Sequence, residues 1–226
     1  MDNILIFLMQ LYKKRPMGIK PAFSRDMVEL SLMLHVPPQT LYNMMFELRK
    51  TDVPHIQRLW KRYGNNNNRL KKDIQTLKRM WGFNNAEAFY DQVEVVESFE
   101  HDFKPIDALD GVKPIMLIMT LDLYFRLVPN TMVTETDEIR SLAKKMGVAP
   151  RNVVAFMNAF KQCDPYISNR LNTEEKEKMS AAEKAAFYPY DPLLLISECK
   201  KIWQRYGNDN PEHLAALASQ MQAYFK

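Results

Sequence analysis

The residues in this sequence best placed to do chemistry are cations. Lys13, Lys14, Arg15 and Lys20 fall close together, as do Arg58, Lys61 and Arg62, and then Arg69, Lys71, Lys72 and Arg79. Ammonium and guanidinium groups at this density hold anions, either phosphates or the carboxylates of another protein. Residues 1–82 carry 15 Lys/Arg against 6 Asp/Glu, a balance of +9. Residues 83–112 carry 1 against 8, or −7, and residues 113–226 carry 15 against 13, or +2. The formal +4 of the chain therefore hides a strongly basic first third with an acidic stretch directly behind it.

Other chemistries find few residues to use. A chain of this length at average usage would hold about 16 glycines, and this one has six, none spaced to build a Gly-rich phosphate loop. The histidines, His35, His55, His101 and His213, are scattered, and Cys163 and Cys199 stand alone, so neither a zinc-binding spacing nor a disulfide framework exists. No nucleophile-elbow motif occurs. The sequence thus leads to no catalytic residue, no cofactor, no metal and no small-molecule substrate. The apolar run 4–9 precedes its nearest positive charges, the reverse of a signal peptide, and no apolar run approaches the roughly 20 residues that span a bilayer. A cytoplasmic protein without membrane contact is expected.

The elements that must position the cations occur twice. LWKRYGNNN (59–67) returns as IWQRYGNDN (202–210), so that Trp60, Tyr63 and Gly64 meet Trp203, Tyr206 and Gly207. Earlier in each copy, Leu5, Leu11, Tyr12, Leu30, Val36 and Pro38 match Leu117, Leu123, Tyr124, Leu142, Val148 and Pro150 at an offset of 112. The later block is offset by 143, so the second copy has an insertion at about 165–195. Each copy reads as helices. ILIFLMQLY and IMLIMTLDLYF are apolar around most of their circumference and are expected to be buried central helices. Ser24, and Thr134 or Thr136, are expected N-caps. Gly64 is expected in a left-handed position past the Trp60 helix. Asn210, Pro211 and Glu212 start a further helix. Trp60 and Trp203 are assigned to packing.

Between the copies, Phe89, Val93, Val96 and Phe99 predict an amphipathic helix with Glu94, Glu97 and Glu100 outward, ended by a turn at Asp110-Gly111. This segment is expected to be able to pack on the basic first copy. In the insertion, Ser180 and Glu183 form a capping box that predicts a short helix in a solvated excursion. The last helix of the first copy places Leu70, Ile74, Leu77 and Trp81 on one face, with Arg69, Lys72 and Arg79 opposite. Its counterpart, HLAALASQMQAYF, keeps the apolar stripe without the cations.

Within each copy one stretch has a distinctive pattern. In IRSLAKKMGVAPRNVVAFMN (139–158), Leu142, Met146, Val148, Val153 and Phe156 take core positions, Ala143 a close-contact position and Gly147 the turn. MVELSLMLHVPPQTLYNMMFE (27–47) follows it, with Ser31 for the alanine and His35 for the glycine. The pattern resembles the helix-turn-helix motif, and the resemblance is to the motif over these residues alone. The expected fold is all-α: an internally duplicated helical protein with two helix-turn-helix-like modules, 1–82 and 113–226, joined by an acidic helical linker, 83–112.

The resemblance implies that the second helix of each module faces base edges. The expected base contacts are Gln39, Thr40 and Asn43 in the first copy and Arg151 and Asn152 in the second, where Val154, Ala155 and Asn158 are also expected on the exposed side. The cations named at the outset, Lys13 to Arg79, are the expected phosphate contacts. Two partners fit this sequence. One is DNA. The other is a protein docked on the Met- and aromatic-rich helices of a non-catalytic scaffold, with an acidic surface against the basic face. The apolar run VVAFMNAF favours the protein, and the charge contrast between the copies favours DNA.

Overall fold

The architecture follows from two helices too apolar to face water. The computed structural model describes residues 2–80, 99–167 and 180–226, and among these all regular structure is helical, with no strand. Contacts divide the chain into two units, Met1–His101 and Asp102–Lys226.

In the first unit, α1 (Asp2–Lys13) buries Leu5, Phe7, Leu8, Met9 and Leu11 and is the element around which the others gather. α2 (Arg25–Leu34) and α3 (Pro38–Glu47) pack on it and on each other. α4 (Pro54–Tyr63) and α5 (Asn67–Arg79) pair, and α5 also packs on α1. Met27, Leu41, Met45, Leu48, Ile56, Tyr63, Leu70 and Ile74 complete one core. Leu70 and Ile74 are buried and Leu77 is half-buried against them, as the i, i+4, i+7 spacing predicts. Trp81, Gly82 and the 83–98 part of the acidic segment lie outside the described residues.

The second unit is built on α6 (Pro114–Arg126), in which every residue from Pro114 to Tyr124 is buried. Its few polar groups need internal partners there. Thr120 Oγ1 donates to the Met116 carbonyl at 2.8 Å, and the Tyr124 hydroxyl donates to Asp164 at 2.8 Å. Around α6 lie α7 (Asp137–Met146), α8 (Pro150–Cys163), α9 (Ala181–Ala185), α10 (Pro192–Tyr206) and α11 (Pro211–Met221). α10 packs most extensively on α8.

Local expectations meet mixed outcomes. Asn210 caps α11 by accepting from Glu212 N–H at 2.9 Å, with Pro211 in the first turn, as its sequence requires. Asn66 caps α5 in the same way from Arg69 N–H. Ser24 and Thr136 take the N-cap positions of α2 and α7, yet neither hydroxyl bonds its helix. Gly64 is not left-handed: its φ is −52°, and Gly207 is at −65°. What forbids a side chain there is closeness, since a Cβ on Gly64 would stand 2.5 Å from the Trp60 carbonyl oxygen. On Gly207 it would meet the Trp203 carbonyl at 2.6 Å and the indole nitrogen at 2.7 Å.

Asp110-Gly111 does turn, with Gly111 at φ 70°. Glu100, expected on an outward face, is instead 1% exposed, because Phe99–Phe103 forms a 3-10 turn that carries it inward. The helix expected after Ser180 forms as α9, while residues 168–179 of the insertion and the Glu183 half of the capping box lie outside the described residues. The end of the insertion is no solvated excursion, for Phe187 is buried.

Candidate functional site

The α2–α3 connection is made by a residue in a conformation that side chains seldom adopt. His35 has φ 53° and ψ 37°, the one positive-φ non-glycine among the described residues. Histidine tolerates this region better than branched residues. The turn closes with Val36 N–H donating to the Ser31 carbonyl at 3.2 Å, while Ser31 Oγ donates to the Val36 carbonyl at 2.6 Å. This is the 6→1 bond of a helix C-terminal motif. In the second unit Gly147 takes the same place at φ 71°, and Val148 N–H donates to the Ala143 carbonyl at 3.0 Å. The His35 ring also faces the acidic segment: its Nδ1 lies 2.9 Å from Glu100 Oε1. Glu100, from the described end of that segment, thus meets a histidine in a turn.

The turn aims α3. Its inner side buries Leu41 and Met45, and its outer side exposes Gln39, Thr40, Asn43 and Phe46. All three residues expected at base edges in this copy share that strip. Gln39 Nε2 donates to Asn43 Oδ1 at 3.5 Å. Phe46 stands edge-on to Tyr42, ring centroids 5.1 Å apart.

The matching helix of the second unit is not presented in this way. Ala155 is fully buried and Val154 and Asn158 are half-buried, against the expectation that all three lie exposed. The end of the insertion reaches Asn158 and its neighbours on α8. Asn158 Nδ2 donates to the Ala186 carbonyl at 3.0 Å, Asn152 Nδ2 donates to the Tyr190 hydroxyl at 2.9 Å, and Tyr190 stacks on Phe156 at 5.4 Å. Arg151 stays exposed, its guanidinium 5.1 Å above the Tyr188 ring. The aromatic run Phe187-Tyr188-Pro189-Tyr190 was the available signal that this stretch packs. Nothing in local periodicity says against which helix.

The cations of the first unit divide into two sets. Lys13 Nζ donates to the Tyr63 and Gly64 carbonyls, both at 2.8 Å, and so satisfies the end of α4, where a positive charge also suits the helix dipole. Burial lowers its pKa. Lys14 pairs with Asp26 at 2.7 Å. Lys20 Nζ donates to the carbonyls of Lys14 and Pro16 and ties the α1–α2 loop together. Arg62 donates to Asp73 at 3.0 Å, across α4 and α5, and Tyr63 donates to the same carboxylate oxygen at 2.7 Å. That hydrogen bond from Tyr63, stronger than the opposing desolvation and helped by Arg62, holds Asp73 below the usual carboxylate range. No sequence signal distinguishes these four cations from the rest, because their partners are distant in the chain. Arg15, Arg58, Lys61, Arg69, Lys71, Lys72 and Arg79 are exposed and make no ion pair among the described residues, and Lys78 joins them. Of these, all but Arg15 stand on α4 and α5, and Arg25 on α2 and Arg49 after α3 are likewise exposed without an ion pair among the described residues.

The two tryptophans pack at the edges of their cores. Trp60 Nε1 donates to the Leu48 carbonyl at 2.9 Å, fastening α4 to the end of α3, and its ring meets Tyr12 edge-on at 6.0 Å. Trp203 meets Tyr124 edge-on at the same 6.0 Å and also touches Phe125 and Phe160. Arg62 lies 5.2 Å above the Tyr63 ring, and Arg205 lies 5.3 Å above that of Tyr206. No helix among the described residues is long and apolar enough to cross a membrane. Compared with protein-family models, curated proteins and solved structures, the chain matches none.

Proposed function

We propose that this chain is a non-catalytic, cytoplasmic DNA-associated protein that holds the phosphate backbone with its first unit. One observation carries the reading. The exposed, unpaired cations of the first unit concentrate on α4 and α5, whereas α11, the helix that corresponds to α5 in sequence order, has none. The helical arrangement does not need those charges, so they serve a partner. Their density suits phosphates spaced along a duplex.

We further propose that the units are duplicated helix-turn-helix modules. The left-handed turns at His35 and Gly147, the Tyr–Trp pairs at 6.0 Å and the Arg–Tyr stacks all fall at positions that the sequence repeat pairs. On this reading the second module keeps the motif as scaffold, with its α8 face engaged by the end of the insertion. A second reading, a protein-interaction role for that unit, is favoured by exposed Phe125, Val128 and Val133 on and after α6.

The test is fluorescence anisotropy with a labelled random duplex at about 50 and 200 mM salt. A fall in affinity of about a hundredfold corresponds to roughly four neutralised phosphates. The variant Lys71→Glu/Lys72→Glu/Arg79→Glu is expected to abolish the binding. Absence of binding by the unaltered protein at the lower salt rejects DNA as the partner and leaves the protein-interaction reading.

A further inference from the structure

The outer strip of α3 is exposed and carries two side-chain amides. Gln39, Thr40, Asn43 and Phe46 occupy one face over two turns of helix, and the charges at its C-terminal end, Glu47 and Lys50, are paired with each other at 2.6 Å. This composition selects between base pairs. In the major groove adenine presents an acceptor, N7, beside a donor, its N6 amino group, and a side-chain amide offers the complementary pair. Gln39 and Asn43 are two such amides on successive turns, coupled through their own hydrogen bond. Thymine presents a C5 methyl group, for which the Thr40 methyl and the Phe46 ring are suitable apolar contacts. Guanine presents two acceptors and is best met by Arg or Lys, while the amino group of cytosine is best met by a carboxylate. The strip offers neither free, since Glu47 at its end is held by Lys50.

Its supports are fixed. Leu41 and Met45 are fully buried behind it, Tyr42 packs against Phe46, and the Trp60 indole ties the end of α3 to α4, whose outer side exposes Arg58 and Lys61.

We infer that the α3 strip reads A·T pairs in the major groove of duplex DNA and disfavours G·C. The inference rests on the DNA reading proposed above and adds a preference that phosphate contacts cannot give.

The experiment titrates the full chain against three labelled duplexes of equal length at one salt concentration. One is built of mixed-order A·T pairs, one of G·C pairs, and one repeats the first with 7-deazaadenine, which removes the N7 acceptor and leaves the minor-groove edges intact. The expected result is binding about tenfold tighter to the A·T than to the G·C duplex, with most of that advantage lost on 7-deazaadenine. Gln39→Ala/Asn43→Ala should bind the A·T and G·C duplexes alike with its salt dependence unchanged. Both residues are exposed, so the substitution spares the core. Equal affinity of the unaltered chain for all three duplexes overturns the inference and leaves the DNA reading standing. A preference that survives 7-deazaadenine assigns discrimination to groove shape and also overturns it. Failure to bind any duplex overturns the DNA reading itself.

Discussion

At the scale of single residues, two glycines of the second unit are required for different reasons. Gly147 is left-handed with open space where a Cβ would go, so only backbone conformation opposes a side chain there. Gly207 has an ordinary φ and no space, since the Trp203 indole and carbonyl fill the volume. Gly207→Ala is therefore expected to destabilise by about 1–3 kcal/mol through overpacking, and Gly147→Ala by about 1–2 kcal/mol through the left-handed backbone. The two mechanisms separate in tryptophan fluorescence, where only Gly207→Ala should displace the Trp203 emission. Unchanged emission and an unchanged melting temperature in Gly207→Ala would refute the packing account. His35 shows that the turn itself does not require glycine. His35 stands where the pattern has glycine, yet the backbone is left-handed all the same, and the ring faces a buried Glu100.

At the scale of elements, the α4–α5 pair is held by polar groups as well as by its core. Asp73 accepts from Tyr63 and Arg62 and joins the two helices that carry the unpaired cations. Its folded pKa lies below the ordinary carboxylate value of about 3.9. The sign follows directly: this stabilisation is complete above the unfolded value and is lost as pH falls through the folded one. Asp73→Asn is expected to lower the urea midpoint at pH 7 and to lose less stability than the unaltered protein between about pH 5 and pH 2. Identical acid profiles for the two proteins would contradict this role. The helices themselves were legible in the sequence. α1 and α6 announce burial by apolar residues on every side, and α11 announces its start by Asn210-Pro211-Glu212. Ser24 and Thr136 sit where N-caps belong but do not act as caps, and the Thr136 hydroxyl donates instead to the Thr131 carbonyl.

For the whole molecule, two units each with a buried central helix are expected to fold as separate pieces. Residues 1–101 expressed alone should retain helical circular dichroism and salt-dependent duplex binding. Residues 102–226 should be helical and lack that binding. Equal duplex binding by both pieces would remove the charge contrast from the functional argument. The contrast itself, +9 against +2 with an acidic −7 between them, could be read without any structure, because charge is additive along a chain.

The helical class, the two central helices, the basic character of the first unit and the outward strip of α3 can be read from the residues without the fold. All of these depend on residue type and a period of 3.6, which are local quantities. Tertiary structure alone decided which cations stay exposed and which are held internally. Lys13 reaches the end of α4 across 50 residues of sequence, and Arg62 finds Asp73 on the next helix. It also decided the fate of α8. Periodicity shows that VVAFMNAF has more apolar surface than one face can hold. Only the folded chain shows the insertion returning to lay Ala186 and Tyr190 over it, because a covering segment leaves no mark in the sequence of the helix it covers.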